Sequence, residues 1–179
     1  MKSLEEATAP IQLINIVQHL IHEDGTFPNN SRLPLLIYKS ALQATDRKTV
    51  EELFESNRWI NSWEGGIFDY HHYHSTAHEV LAVTSGNARI QFGGPGGIAI
   101  SLDQGDVAII PAGVAHKCLE SAADFKVVGA YPEGQLYNIL YGKDGERPVA
   151  DENIKSLPLP ESDPILGFDG PLMKNWRLS

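Results

Sequence analysis

A single cysteine, Cys118, serves a chain of 179 residues, so no intrachain disulfide can form. That usage fits a reducing compartment, and the sequence reads as cytoplasmic. Basic side chains are scarce as well. There are 14 lysines and arginines against 23 acidic residues, a formal net charge of −9. No basic run or arginine stripe offsets this. Nucleic acid and anionic membranes are therefore excluded as main partners, because both reward lysine and arginine. Long apolar runs are missing too. The stretch IQLINIVQHLI is broken by Gln12, Asn15, Gln18 and His19. It is too short to span a bilayer and lacks the unbroken core and small-residue cleavage site of a signal peptide.

What remains is the length of one domain, expected over residues 1–179. A domain this size buries about two thirds of the surface its unfolded chain exposes, so it needs no disulfide or metal merely to fold. Residues 1–59 read as an N-terminal extension, about 60–141 as the core, and 142–179 as a tail. Ile11–Ile21 fits either a helical face or a strand near His19–His22. LLIYKSAL reads as a short strand. Asp46–Asn57 reads as a helix, with Thr45 or Asp46 as cap, Val50, Leu53 and Phe54 on its apolar face, and Glu51 and Glu55, with Arg58 beyond, solvated.

From Gly65 to Pro132 short β-rich runs alternate with turns: Ile67–His74, Glu79–Thr84, Ala88–Phe92, Ile98–Leu102, Val107–Ile110, His116–Glu120 and Phe125–Tyr131. That spacing predicts an all-β antiparallel sandwich or barrel. Val107–Ile110 is apolar on both faces and is expected to be covered on both sides. GGPGG lacks the lysine, the Ser/Thr and the following helix of a phosphate loop, and reads as a hairpin turn. The tail carries Pro158, Pro160, Pro164 and Pro171, which predicts an extended segment without regular structure, laid over the barrel or a neighbouring subunit.

Four of the seven histidines lie in FDYHHYHSTAHEVLAVTSG. On a strand His72 and His74 share a face with Phe68 and Tyr70, while His71 and Tyr73 point away. Cα atoms two residues apart are roughly 6.6 Å from each other, close enough for both rings to converge on one ion with bonds of about 2.0–2.1 Å. Glu79 heads the next strand, where a hairpin can bring its carboxylate to the same point, with Leu81 and Val83 below it. Farther on, His116 opens a strand after the turn PAGVA and can face the pair across a closed barrel. The spacing is Gly66–x5–His72–x–His74–x4–Glu79–x6–Gly86, then Gly105–x5–Pro111–x–Gly113–x2–His116.

Both halves resemble the two motifs of the cupin superfamily, at every glycine, proline and ligand position. The chain is most similar to a group of uncharacterised single-domain cupins from bacteria and fungi, through DGTFPNNSRLPLLIY, HHYHSTAHEVL, FGGPGG, DFKVVGAYPEGQ and DPILGFDGPL. The resemblance implies a double-stranded β-helix, or jelly-roll barrel, with a metal inside, and a homodimer. It matches His72, His74, Glu79 and His116 to the metal ligands. The second motif often carries an asparagine where this chain has Glu120.

Three neutral imidazoles and one carboxylate leave a divalent ion at +1 with two open octahedral positions, which suits Fe, Mn, Ni or Co; Zn would close the site or become five-coordinate. Uptake needs deprotonated histidines, so binding is expected to weaken below about pH 6. The expected function is a metal-dependent enzyme on a small oxygen-bearing molecule, a dioxygenase or an isomerase. The alternatives are a non-enzymatic cupin that binds or senses a small molecule through its ion, and a purely structural metal. His71 and His78 are expected in surface or supporting hydrogen bonds, Cys118 as a buried thiol, Tyr70 as a barrel-lining aromatic, and Arg89 and Gln91 as solvent or interface residues.

Overall fold

The alternating runs separate into two antiparallel sheets in the structure, a computed structural model that describes residues 3–178. Residues 1, 2 and 179, the outer ends of the extension and the tail, lie outside the described residues. In chain order the elements are α1 (Leu4–Ala7), a 3-10 turn (Ile11–Leu13), β1 (Asn15–Ile21), β2 (Asn30–Lys39), α2 (Arg47–Ser56), β3 (Trp59–Gly65), β4 (Glu79–Ser85), β5 (Asn87–Phe92), β6 (Ile98–Asp103), β7 (Val107–Ile110), β8 (His116–Ser121), β9 (Lys126–Pro132), α3 (Val149–Ser156) and α4 (Pro171–Asn175). The larger sheet runs β1-β2-β7-β4-β9-β3 and the smaller β6-β5-β8. Together they form an all-β jelly roll. No described helix is long and apolar enough to cross a membrane.

Strand parity sorts the apolar residues into two layers. Leu35, Ile37, Leu81, Val83, Ala108, Ile110 and Val127 face inward and meet Ala88, Ile90, Phe92, Leu102 and Cys118 of the smaller sheet. Their neighbours Leu36, Tyr38, Val80, Ala82, Val107, Ile109, Val128 and Ala130 face outward, yet they are also buried. Helix α2 covers part of that outer face with Val50, Leu53 and Phe54, and the tail covers more with Ile165, Leu172 and Trp176. The double coverage explains why Val107–Ile110 is apolar on both faces. Asp46 caps α2, its carboxylate accepting from the Thr49 N–H at 3.0 Å.

Three expectations need correction. Ile67–His74 is not a continuous strand; only His72 and Tyr73 make bridges, to His116 and Leu140. Strand β3 carries no alternation in sequence because its register shifts between Ile60 and Trp63, where Asn61 takes φ 58°. Both β1 and β2 lie within the segment read as an extension but belong to the larger sheet, and Ile11–Ile21 resolves into a turn and an edge strand. The tail lies over the barrel as expected, but it is not irregular: its prolines flank α3 and α4, with Pro171 in the first turn of α4, where a missing N–H costs nothing.

Candidate metal centre

Although no regular strand carries them, His72 and His74 turn the same way. His72 exchanges backbone hydrogen bonds with His116, at 3.2 and 2.9 Å, which sets the two rings 4.1 Å apart between centroids. Tyr73, between the two, points away into a pocket with Phe27 and donates its hydroxyl to Glu146 at 2.8 Å. His116 begins β8 directly after the Pro111–Gly113 turn. Gly113 has φ +96°, and a Cβ there would stand 2.2 Å from the Asn29 carbonyl, so this turn demands glycine. Its N–H donates to the His74 carbonyl at 2.8 Å, tying the second motif to the first.

Every ring of the three is oriented by a backbone carbonyl at Nδ1: Tyr70 for His72 at 3.1 Å, Val114 for His116 at 3.0 Å, and Asn138 for His74. A carbonyl only accepts, so Nδ1 carries the hydrogen and Nε2 of the neutral ring keeps its lone pair. All three rings are buried, and one nitrogen of each lies within 4.8 Å of the others. Glu79, at the head of β4, stands beside them with Oε2 2.6 Å from His74 Nε2 and 3.6 Å from His116 Nε2.

Glu79 Oε2 has no hydrogen-bond donor of good geometry among the described residues. Two lone pairs do not rest 2.6 Å apart, so a positive species belongs between them. A proton on His74 satisfies that one contact, and so does a cation; the three imidazoles by themselves form a group close enough to share one. The electrostatics agree. Burial opposes charge on Glu79, but His74 and His116 outweigh it and hold the carboxyl well below its usual range. Burial likewise opposes charge on His74, and Glu79 and the Asn138 carbonyl reverse it, raising its pKa. Burial, with His116 alongside, pushes His72 down to about 3, which keeps it a neutral donor.

The cluster opens into a cavity of about 330 Å³ lined by Trp63, Ile67, Phe68, Leu81, Tyr131, Tyr137 and Ile139. That volume lies at the small end of the ~300–1,000 Å³ typical of ligand pockets. Trp63 lies flat on β9, where a Cβ on Gly129 would come within 2.5 Å of the indole. The indole N–H then donates to the Tyr131 hydroxyl at 2.8 Å. Burial, with Glu79 nearby, raises the Tyr131 pKa, so the phenol keeps its proton. Inward parity with Val127 and Gly129 was the sequence signal for Tyr131. Tyr137 and Asn138 lie outside strands and carry no periodic signal, whereas Phe68, also outside a strand, shares the parity of His72 and His74.

The other candidates fall elsewhere. His78 is fully buried but faces away from the cluster, against Trp176 at 4.8 Å between centroids. His71 packs beside Phe27. Tyr70 does not line the cavity; it stacks on Phe68 at the rim. Cys118 is buried, and burial raises its thiol pKa. Arg89 and Glu120 are exposed, and Gln91 donates to the Pro95 carbonyl within the GGPGG turn.

A family model described as "Cupin domain" matches residues 59–128. The chain is 47% identical over 154 residues to "Uncharacterized protein YjlB" of Bacillus subtilis, covering 86% of this chain and 92% of that one. Among solved structures, a Klebsiella pneumoniae protein with a double-stranded β-helix domain is 18% identical, with 80% of this chain and 92% of that chain covered and a TM-score of 0.36. A variant of Bacillus subtilis oxalate decarboxylase is 20% identical, with 67% of this chain covered and a TM-score of 0.37, and the match spans 30% of that enzyme.

Proposed function

The chain belongs to the cupin family, and from that membership we propose that it binds one divalent transition metal through His72, His74, Glu79 and His116 and acts on a small oxygen-bearing molecule as a dioxygenase or isomerase. One observation carries the reading: three buried imidazoles, each fixed at Nδ1 by a carbonyl, converge beside a carboxylate oxygen that has no donor of good geometry among the described residues. Bound there, such an ion supplies Lewis acidity toward a coordinated oxygen. The chain supplies the surroundings. Trp63, Leu81 and Ile139 keep the cavity apolar, Glu79 cancels one charge, and Tyr131 holds a proton at the wall. Histidine ligands make uptake acid-labile, since protons compete for Nε2.

Elemental analysis after equilibrium dialysis with Fe, Mn, Co, Ni or Zn tests this. About one equivalent per chain is expected at pH 7.5, with substantial loss at pH 5. The double substitution His72→Ala, His116→Ala is expected to abolish uptake while leaving the far-UV circular dichroism unchanged. Stoichiometric metal in that variant would refute the assignment. Loaded protein that binds a small oxygen ligand without converting any member of a sugar and keto-acid library would shift the reading to the non-enzymatic cupin.

A further inference from the structure

The cavity beside the three histidines selects by charge, shape and one hydrogen bond. No lysine or arginine lines it, and Glu79 is its one carboxylate among the described residues. With a divalent ion in place the site carries a single positive charge. A ligand with one negative charge cancels it, whereas a dianion or phosphate leaves uncompensated charge in an apolar enclosure, which is costly. Tyr131 is 2% exposed; its oxygen accepts from Trp63, and its own hydrogen has no acceptor among the described residues. That hydrogen is a buried donor at the cavity wall. Two flat faces flank the opening. The Phe68 ring lies nearly perpendicular to His72, 5.0 Å away between centroids, and is backed by Tyr70; the Tyr137 ring lies nearly perpendicular to His74 at 5.5 Å and is stacked on Tyr131 at 4.6 Å. Phe68 and Tyr137 are both about half exposed and both line the cavity, so each keeps ring surface accessible beside it.

We propose, resting on the metal reading above, that the cavity takes a small, singly charged oxygen acid on a flat unsaturated frame, its oxygen accepting from the Tyr131 hydroxyl and its plane lying between Phe68 and Tyr137. Tyr131 is then a specificity-determining residue, and Trp63 positions it by fixing the direction of its oxygen.

Calorimetry on the metal-loaded full chain tests this with benzoate, cyclohexanecarboxylate, oxalate and inorganic phosphate as probes. Benzoate is expected to bind at least about tenfold more tightly than the other three, since the saturated ring loses the stacking and the other two carry the wrong charge. Tyr131→Phe is expected to weaken benzoate about tenfold while metal content stays at the wild-type value. Oxalate or phosphate matching benzoate overturns the proposal, as does an unchanged benzoate affinity in Tyr131→Phe. The ranking of probes is read on the wild type and needs no variant to fold. Should Tyr131→Phe not fold, Trp63→Phe replaces it, with a several-fold loss expected and no change counting against the idea. A wild-type chain that takes up no metal fails at the dialysis step and overturns the metal reading itself, whereas a loaded chain that prefers oxalate overturns only the ligand class.

Discussion

His78 Nδ1 accepts from the Ala112 N–H at 2.9 Å, so the hydrogen of this neutral ring sits on Nε2, which has no partner of good geometry among the described residues. Burial dominates its titration and lowers it to about 3, with the Pro158 carbonyl offsetting only part of the effect. The folded value therefore lies below the ordinary 6.5, and between the two values the unfolded chain holds more protons. Stability from this group is complete above about pH 6.5 and is lost as pH falls toward 3. His78→Leu keeps most of the volume but strands the Ala112 N–H, which is expected to cost roughly 1–3 kcal/mol at pH 7.5. At pH 5 the wild type alone gives up a further ~2 kcal/mol, at about 1.4 kcal/mol per pKa unit. Urea unfolding of metal-free protein at the two pH values should thus show the gap between variant and wild type narrowing at pH 5. A constant gap would mean that His78 is not buried neutral. Metal uptake should be unaffected, because this ring points toward Trp176 and not toward the cluster.

A strap of residues 135–140 lies along residues 73–78 and grips them almost one by one. Gln135 accepts from His78 N–H at 3.0 Å, the Leu136 carbonyl from the Thr76 hydroxyl at 2.6 Å, and Asn138 from Ser75 N–H at 2.8 Å. Leu140 and Tyr73 exchange two backbone bonds of 2.9 Å. The Asn138 carbonyl also orients His74, so its side-chain contacts to Ser75 lock a carbonyl that aims a proposed ligand. Asn138→Ala retains that carbonyl but frees the strap. Metal affinity, read by competition with a chromophoric chelator, is expected to fall about tenfold, in the range for groups that orient ligands. An unchanged affinity would make the strap a passive cover. This element also marks where the sequence stops being legible. The cluster could be read because His72, His74, Glu79 and His116 sit at fixed spacings around turn glycines and a proline. Residues 135–140 have no periodicity, and their partners are about 60 residues away, so only the folded chain pairs them. The same limit hid β3, whose bulge at Asn61 breaks the kind of alternation that marks β5 and β6.

Across the whole molecule, the six-stranded sheet has too much apolar surface for one partner sheet. Its outer face needs a second cover, and the tail residues Ile165, Leu172 and Trp176 provide much of it. Asp163, fully buried, anchors that cover: one oxygen accepts from the N–H groups of Ile165 and Leu166 at 2.8 and 3.0 Å, the other from the Tyr38 hydroxyl at 2.5 Å and the Leu172 N–H at 3.0 Å. Trp59 donates to the Ser162 carbonyl and Trp176 to the Pro34 carbonyl, at 2.9 and 2.8 Å. Ending the chain after Pro160 removes Ile165, Leu172 and Trp176 from the core, each worth about 2–5 kcal/mol, and strands the Tyr38 hydroxyl and the Trp59 N–H. At about 2–4 °C per kcal/mol for a chain of this length, the melting temperature should drop by more than ~15 °C, or the chain should not fold. Asp163→Asn is the milder companion, since it keeps the shape but turns a donor toward donors. It should cost roughly 1–3 kcal/mol and retain full metal uptake, because Asp163 lies beneath the outer face while the histidines open on the inner one. A shortened chain melting within a few degrees of the full one would show that a different layer closes the outer face, since a buried Trp176 and a dispensable tail cannot both hold.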